Sequence, residues 1–287
     1  VSKASDAKYE DGASSYYMGV INSRSNYVYS LGHQAASNWG TVLTSGLTYT
    51  AATASVVVSL SGGADYVSIT EADRQDAFSL FENDDEYDIS LVVCGKVSHV
   101  TANYVISNIV ERRKDCIAFI SPTRGTTGEP LIAQSAAGVE ELIAFKDAVN
   151  VSTSYAVYDS GYKYQYDRYN DIYRWVPLCG DTAGLCARTD NTNDPWWSPA
   201  GLNRGQIKNV VKLGFNPRKS DRDVLYQAGI NPVVSFPGQG TVLYGDKTAL
   251  AKPSAFDRIN VRRLFITLEK AIATAAKYQL FEFNDAF

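Results

Sequence analysis

The sequence predicts a mixed α/β fold, in which an α/β core with a mixed sheet flanked by helices follows a β-rich N-terminal portion. Three observations predict it. Short apolar runs alternate with helix-length segments between Asp88 and Tyr158. A dense β-branched run, Thr48 to Leu60, stands apart in the first eighty residues. The long segment after Ile259-Asn260 has the apolar spacing of an amphipathic helix. Residues 1–80 are therefore expected as part of an outer domain and 81–287 as the core. With 287 residues, 45% of them hydrophobic, the chain can bury one large core or two smaller ones, and that apolar content excludes a mainly disordered chain.

Each element has a local reason. Ser61-Gly62-Gly63-Ala64-Asp65 breaks the first β run, and Tyr66 to Thr70 can form another short strand. Ile89 to Val93 is a strand closed by Cys94-Gly95. Ser98 suits the N-cap of a helix reaching Arg113. Cys116 to Ile120 is the next strand, and Pro130 suits the first turn of a helix carrying Leu131, Val139, Leu142, Ile143 and Val149. Thr153 to Tyr158 follows as a strand, so the alternation predicts parallel neighbours joined by crossovers.

Tyr162, Tyr164 and Tyr166 alternate with Lys163 and Gln165, which predicts an extended arm with one aromatic face. Leu178 to Ala187 reads as a short helix, Thr189 to Gly201 as a loop and Asn209 to Leu213 as a β segment. Ile230 to Phe236 and Thr241 to Tyr244 flank Pro237-Gly238-Gln239-Gly240 as a hairpin. In the final helix Val261, Leu264, Phe265, Leu268, Ile272, Ala275 and Ala276 form the apolar stripe.

Composition narrows the function. No apolar run approaches the eighteen residues of a membrane-spanning helix. The formal charge of −4 leaves no overall nucleic-acid footprint. Cys94 and Cys116 sit in apolar runs as buried thiols, while Cys179 and Cys186 lack the spacing of a zinc knuckle. That usage suits a reducing cytoplasm. The 19 tyrosines suit either an interface or a β-rich surface. The chain opens on Val1 without a signal peptide and stops on Phe287, which reads as an internal fragment.

No residue set selects a reaction. Ser121 to Pro130 lies between strand and helix, where phosphate loops occur, but only two residues separate Gly125 from Gly128, and Glu129 stands where a cation would help. The run Glu82 to Asp88 lacks the length and central glycine of a calcium loop. No Gly-x-Ser-x-Gly elbow accompanies His33 or His99. Arg218, Lys219 and Arg222 surround Asp221 and Asp223 in a patch suited to reversible pairing between proteins. Arg262 and Arg263, beside the last helix's apolar face, read either as solubilising charges or as side chains that reach an acidic neighbour. Asn150-Val151-Ser152 matches a glycosylation site by chance. No catalytic, cofactor-binding or metal-ligating residue is assigned, and no cofactor is implied.

One ordered set of segments does carry information. Arg174-Trp175-Val176-Pro177, Pro195-Trp196-Trp197-Ser198-Pro199-Ala200-Gly201, Leu225 to Pro232 with its Gly229-Ile230-Asn231, Gly238 to Thr248 and Ile259 to Leu264 resemble, in order and spacing, contractile phage tail sheath proteins, closest to those of large T-even-like coliphages. The resemblance implies a structural protein rather than an enzyme. It implies stacked hexameric rings of subunits around a tail tube, with a baseplate and a tail terminator as further partners. Contraction by rigid-body rearrangement would drive the tube through the host envelope, powered by new subunit contacts. The location implied is the virion tail, after assembly in the host cytoplasm, with no direct nucleic-acid or membrane partner. Lacking the terminal arms that join neighbours, the fragment is expected to be mostly monomeric. The tryptophans of the Pro-Ala-Gly segment are expected to bury against the glycine-rich hairpin. Two other readings stay open: the sheath of a tail-derived injection machine, and a carbohydrate-active enzyme or binding module with carboxylates in a cleft beneath the aromatics.

Overall fold

The computed structural model describes residues 1, 6–10, 12–30, 63, 69–124, 129–133 and 136–281. The run expected at 48–60, most of that at 66–70, and His33, Gly125 and Gly128 lie outside them. The chain divides into two compact units, Val1–Asp65 and Tyr66–Phe287.

In the first unit a tight reversal bridges Lys8 to Ser14 and leads into α1 (Tyr17–Arg24). Beyond it, the Asn22 side chain donates to the Ser30 carbonyl at 3.0 Å and accepts from the Ser30 N–H at 2.7 Å.

The second unit starts with α2 (Glu71–Ser79), opened by a capping box. Thr70 Oγ1 accepts from the Asp73 N–H, and the Asp73 carboxylate accepts from the Thr70 N–H. After β1 (Leu91–Val93), Ser98 Oγ caps the predicted helix by accepting from Val100 N at 3.2 Å and Thr101 N at 3.4 Å. That helix is α3 (His99–Tyr104), a π-helical turn (Val105–Val110) and α4 (Glu111–Arg113) in succession. It ends at Lys114, which takes the left-handed conformation with φ 60°. The π turn buries Val105, Ile106, Ile109 and Val110.

Next come β2 (Ile117–Ile120), β3 (Thr123–Arg124), β4 (Glu129–Pro130), α5 (Ala136–Val149) and β5 (Ala156–Asp159). The aromatic arm is β6 (Tyr162–Asp167) and β7 (Ile172–Pro177), followed by α6 (Cys179–Thr192), β8 (Gln206–Ile207), β9 (Lys212–Leu213) and α7 (Lys219–Gln227). The chain closes through β10 (Ile230–Asn231), β11 (Val233–Phe236), β12 (Gly240–Leu243) and α8 (Ile259–Ala276).

The core is a parallel sheet in the order β1-β2-β5-β10, with Leu91 opposite Ile117, Ala118 opposite Ala156 and Ile230 opposite Tyr158. Every residue of the central strands β2 and β5 is buried, as a sheet covered on both faces requires. Two antiparallel sheets, β11-β12-β8 and β7-β6-β9, and the β3-β4 ribbon complete the expected mixed α/β architecture.

Three expectations change. Pro130 starts no helix. It lies in β4 opposite Thr123, where a two-stranded ribbon tolerates its missing N–H, and α5 begins at Ala136. The helix at Leu178 runs on to Thr192, and inside it the Thr189 and Thr192 hydroxyls find partners in the carbonyls of Leu185 and Arg188. Ile230 to Phe236 is two strands in two sheets. Pro232 separates β10, parallel to β5, from β11, antiparallel to β12.

Candidate functional site

Four of the five ordered segments meet at one junction, although they are dispersed between Pro195 and Leu264, whereas Arg174 to Pro177 lies in β7 of the aromatic arm. Asn231, fully buried at the end of β10, is its first hub. Its amide donates to the carbonyls of Tyr158 at 3.0 Å and Lys247 at 2.8 Å, and its oxygen accepts from Lys247 N at 2.7 Å. One side chain thus ties the parallel sheet to the Gly-Asp-Lys-Thr segment. Gly245 makes the approach possible, since a Cβ there would lie 2.9 Å from Asn231 Oδ1 and 3.1 Å from Pro232 Cδ.

Asp246 is the second hub. Its carboxylate accepts from Ser198 Oγ at 3.1 Å, Tyr226 OH at 3.2 Å and Arg258 Nη1 at 2.9 Å. Burial and then the neighbouring Asp246 charge push the Tyr226 phenol up. Burial acts to lower the Arg258 pKa, but the bond to Asp246 leads the interactions that raise it. The Asp246 carbonyl accepts from Ile259 N at 2.8 Å, and Thr248 bonds Asp257 and Phe256 through its N–H and hydroxyl, each at 2.9 Å. Ala249 N then returns to the sheet at Ala156 O, 2.8 Å away. Residues 245–249 are stitched to the sheet on one side and to the start of α8 on the other.

The Pro-Ala-Gly segment joins the hairpin through backbone. Gly201 N donates to Leu243 O at 2.9 Å, and Leu243 N donates to Gly205 O at 2.8 Å. A Cβ on Gly205 would meet Leu243 O at 2.7 Å. The tryptophans do not bury there: Trp196 and Trp197 are 47% and 43% exposed, and the Trp197 ring carries the Arg204 guanidinium at 5.0 Å. The backbone makes the contact instead, and at Gly205 no side chain would fit against Leu243.

Arg262 and Arg263 are not solubilising charges, and Arg263 reaches an acidic neighbour. Both are buried. Arg262 packs against the rings of Tyr155 and Phe256, 4.3 and 4.1 Å from their centroids, and Arg263 pairs with Asp190. They anchor α8 to the rest of the second unit. The predicted apolar stripe points outward at Phe265, Leu268 and Ile272, while Ile259 and Ile266 face inward with the arginines.

The remaining candidates resolve as follows. The acidic run 82–88 is organised by Arg113, which donates to the carbonyls of Phe81, Asn83 and Tyr87 and pairs with Asp115. Burial works to raise the Asp115 pKa, but the Arg113 bonds outweigh it and hold the carboxyl low. Among the described residues no group of three or more His, Cys, Asp or Glu is placed to hold a metal. Cys94, Cys116, Cys179 and Cys186 are free and buried, and burial pushes Cys116 and Cys186 to about 12 and Cys179 to about 11. Ser152 of the glycosylation match accepts from Ala251 N at 2.9 Å. No helix of the described residues is long and apolar enough to cross a membrane.

The aromatic arm presents Tyr164, Tyr166, Tyr173 and Trp175 on one side, while Tyr162 is fully buried. Beside it lies a cleft of about 570 Å³ lined by Ile132, Trp175, Phe215, Lys212 and Arg218 among others. Its charged lining residues are these two cations, not the carboxylates that a sugar-cleaving site would need. In the second unit, Arg222 of the predicted patch lies over Phe236 and Tyr244 at 5.3 and 5.5 Å.

Sequence reasoning singled out the right segments but missed the roles of Asn231, Asp246 and Arg258. The signal was available: a polar residue inside an apolar strand, as in Gly-Ile-Asn, asks for buried partners.

Residues 62–249 match the family model of the phage tail sheath protein central domain. The chain is 53% identical over 200 residues to the tail sheath protein of Vibrio phage KVP40, covering 67% of this chain and 30% of that protein. It is 45% identical over 247 residues to that of Enterobacteria phage T4, covering 80% and 37% respectively. For Salmonella phage ViI the identity is 37% over 281 residues, covering 98% and 40%. The chain thus spans well under half the length of these curated relatives. The fold is shared with the contracted sheath complex of an extracellular contractile injection system (TM-score 0.55, 19% identity, 72% of this chain and 53% of that one). It is likewise shared with the contracted helical sheath of the anti-feeding prophage (TM-score 0.55, 18% identity, 76% and 55%). The chain belongs to the phage tail sheath protein family and carries its central domain.

Proposed function

We propose that this chain is the rigid central part of a contractile tail sheath subunit. Copies would surround a tail tube as stacked hexameric rings in a helical array. On triggering they would rearrange as rigid bodies, so that the sheath shortens and drives the tube through the host envelope. The observation that carries this reading is the 37 to 53% identity with three phage tail sheath proteins. A subunit that exchanges one lattice for another must keep its own shape. Buried bonds that tie sheet, hairpin and α8 together make them move as one body. Contacts between unlike surfaces, repeated with translation, build an open helix, and exchanging such contacts supplies work without nucleotide hydrolysis.

In this reading residues 1–80 are part of an outer domain and residues 81–287 are the sheath core. The partners are further copies, the tail tube, the baseplate and the tail terminator. The protein performs no catalysis, and assembly takes place in the host cytoplasm before the sheath joins the virion tail. The shared fold with contractile injection systems supports a second setting, a tail-derived injection machine, although the higher identities are to phage proteins.

The test is the T4 tail sheath protein with its matching segment exchanged for this chain. Electron microscopy is expected to show hollow tubes of uniform width. Dispersed, folded subunits across salt and concentration, beside tubes of the unexchanged T4 protein, would defeat the reading.

A further inference from the structure

Charge is unevenly distributed over the second unit. Asp84, Asp85 and Glu86 stand exposed on the loop between α2 and β1, and none of them forms an ion pair among the described residues. Arg113 fixes this loop through the carbonyls of Phe81, Asn83 and Tyr87. Its partner Asp115 lies two residues before the strand Ile117–Ile120, so the loop sits at the N-terminal end of the parallel strands. Phe81 and Tyr87 flank the carboxylates, 40% and 42% exposed, with ring centroids 5.6 Å apart.

The complementary surface lies at the other end of the same sheet. Residues 204–219 contain Arg204, Lys208, Lys212, Arg218 and Lys219 and no acidic residue. Lys212 and Arg218 line the cleft of about 570 Å³ beside Trp175. That cleft is tied to the C-terminal end of the strands, because Gly214 N donates to the carbonyl of Tyr162, just past β5, at 2.7 Å. Lys212 rests over the rings of Tyr164 and Trp175 at 5.0 and 5.5 Å. Asp221 accepts from the Arg218 backbone N–H at 3.0 Å, while the Lys212 ammonium and the Arg218 guanidinium form no ion pair among the described residues.

We propose that the acidic loop of one copy seats in the cationic cleft of the next, with Asp84, Asp85 and Glu86 facing Lys212 and Arg218. The inference rests on the sheath reading and names one contact through which the copies join. Loop and cleft lie at opposite poles of the sheet, so the pairing is head-to-tail and propagates instead of closing into a dimer. Exposed charges of this kind give a weak, salt-sensitive contact that steers and aligns copies. Such a contact can be released and remade. The fragment would then be monomeric when dilute and associate only at high concentration.

Charge reversal tests the contact on the chain itself. One variant carries Asp84→Lys, Asp85→Lys and Glu86→Lys, and the other carries Lys212→Glu and Arg218→Glu. Circular dichroism establishes that both fold. In low salt, sedimentation equilibrium up to about 0.3 mM is expected to show mass rising with concentration for the unsubstituted chain. Each variant alone is expected to associate at least about tenfold more weakly, and the equimolar mixture to regain association because both pairings are again opposite in sign. An unsubstituted chain that stays monomeric, a variant alone within about twofold of it, or a mixture no tighter than its parts overturns the proposal. Tube formation by the exchanged T4 protein is read separately. Tubes without pairing would remove this contact alone, and pairing without tubes would remove the sheath reading alone.

Discussion

Asn231→Ala is the sharpest probe of the junction. The substitution removes three hydrogen bonds of 2.7 to 3.0 Å at a side chain with no exposed surface. It leaves the carbonyls of Tyr158 and Lys247 and the N–H of Lys247 without these partners. At about 1 to 1.5 kcal/mol for each lost bond, with desolvation of the orphaned groups added, the expected loss is about 3 to 4 kcal/mol. For a unit of this size that corresponds to a fall in Tm of about 10 °C. Urea unfolding followed by fluorescence of Trp175, Trp196 and Trp197, which report from the second unit, measures it, and the m-value should stay constant. Asn231→Asp adds a direction. It keeps an acceptor for Lys247 N but sets a carboxylate against two carbonyls, which favours its protonated form. Its folded pKa is therefore raised above the unfolded value, so its deficit is smallest in acid and grows as pH rises through the window between them. A loss under about 1 kcal/mol for Asn231→Ala would refute the hub role.

Two further predictions come from other parts of the core. Asp159 is buried, and burial pushes its carboxyl up to about 8 despite bonds from Gly161 N and Ser121 Oγ; Asp181 adds to the rise. The folded state then holds a proton that the unfolded chain releases, so this group's stabilisation is complete below about pH 4 and is lost as pH rises toward 8. Asp159→Asn should flatten that part of the urea-midpoint profile, and an unchanged slope between pH 5 and 8 would contradict the assignment. Gly214→Ala should cost at least about 2 kcal/mol, because its Cβ would lie 2.4 Å from the Leu131 carbonyl. Gly180→Ala, within α6 and with nothing within 4 Å of the new Cβ, should instead stabilise by about 0.5 to 1 kcal/mol in the same urea assay.

Where local chemistry was sufficient, the sequence was legible. Ser98 had the residue type and position of a cap, and it caps. The apolar runs around Val92, Phe119 and Val157 had the composition of strands covered on both faces, and they pair in parallel. The alternating tyrosines became the β6-β7 arm. Legibility failed where a distant partner decided. Nothing near Pro130 in sequence says that Thr123 will lie opposite it. Thr189 to Thr192 has loop composition, yet it is helical, with its hydroxyls satisfied by carbonyls of the preceding turn and Asp190 tied to Arg263 of α8. For the junction, the resemblance marked the segments but not their chemistry, because Asn231 and Lys247 are neighbours only once β10 has joined β5.

The orientation of α8 shows why periodicity alone could not place it. The helix has two faces at helical spacing, one through Val261, Leu264, Phe265, Leu268 and Ile272, the other through Ile259, Arg262, Arg263, Ile266 and Lys270. Area alone favours burying the first, and the second is buried. Its three cations explain the choice. Arg262 fits between Tyr155 and Phe256, Arg263 meets Asp190, and Lys270 reaches Asp88 and the Ile89 carbonyl. Turning the helix to bury Leu268 and Ile272 would strip Asp190 of its cation and leave the Tyr155 and Phe256 rings without the guanidinium that fills the space between them. An apolar face tolerates sliding by a turn, whereas paired charges and a stacked guanidinium accept one register. Cationic anchoring therefore fixes α8 to the sheet more specifically than its apolar stripe could, which is the property that the proposed rigid-body rearrangement asks of this block.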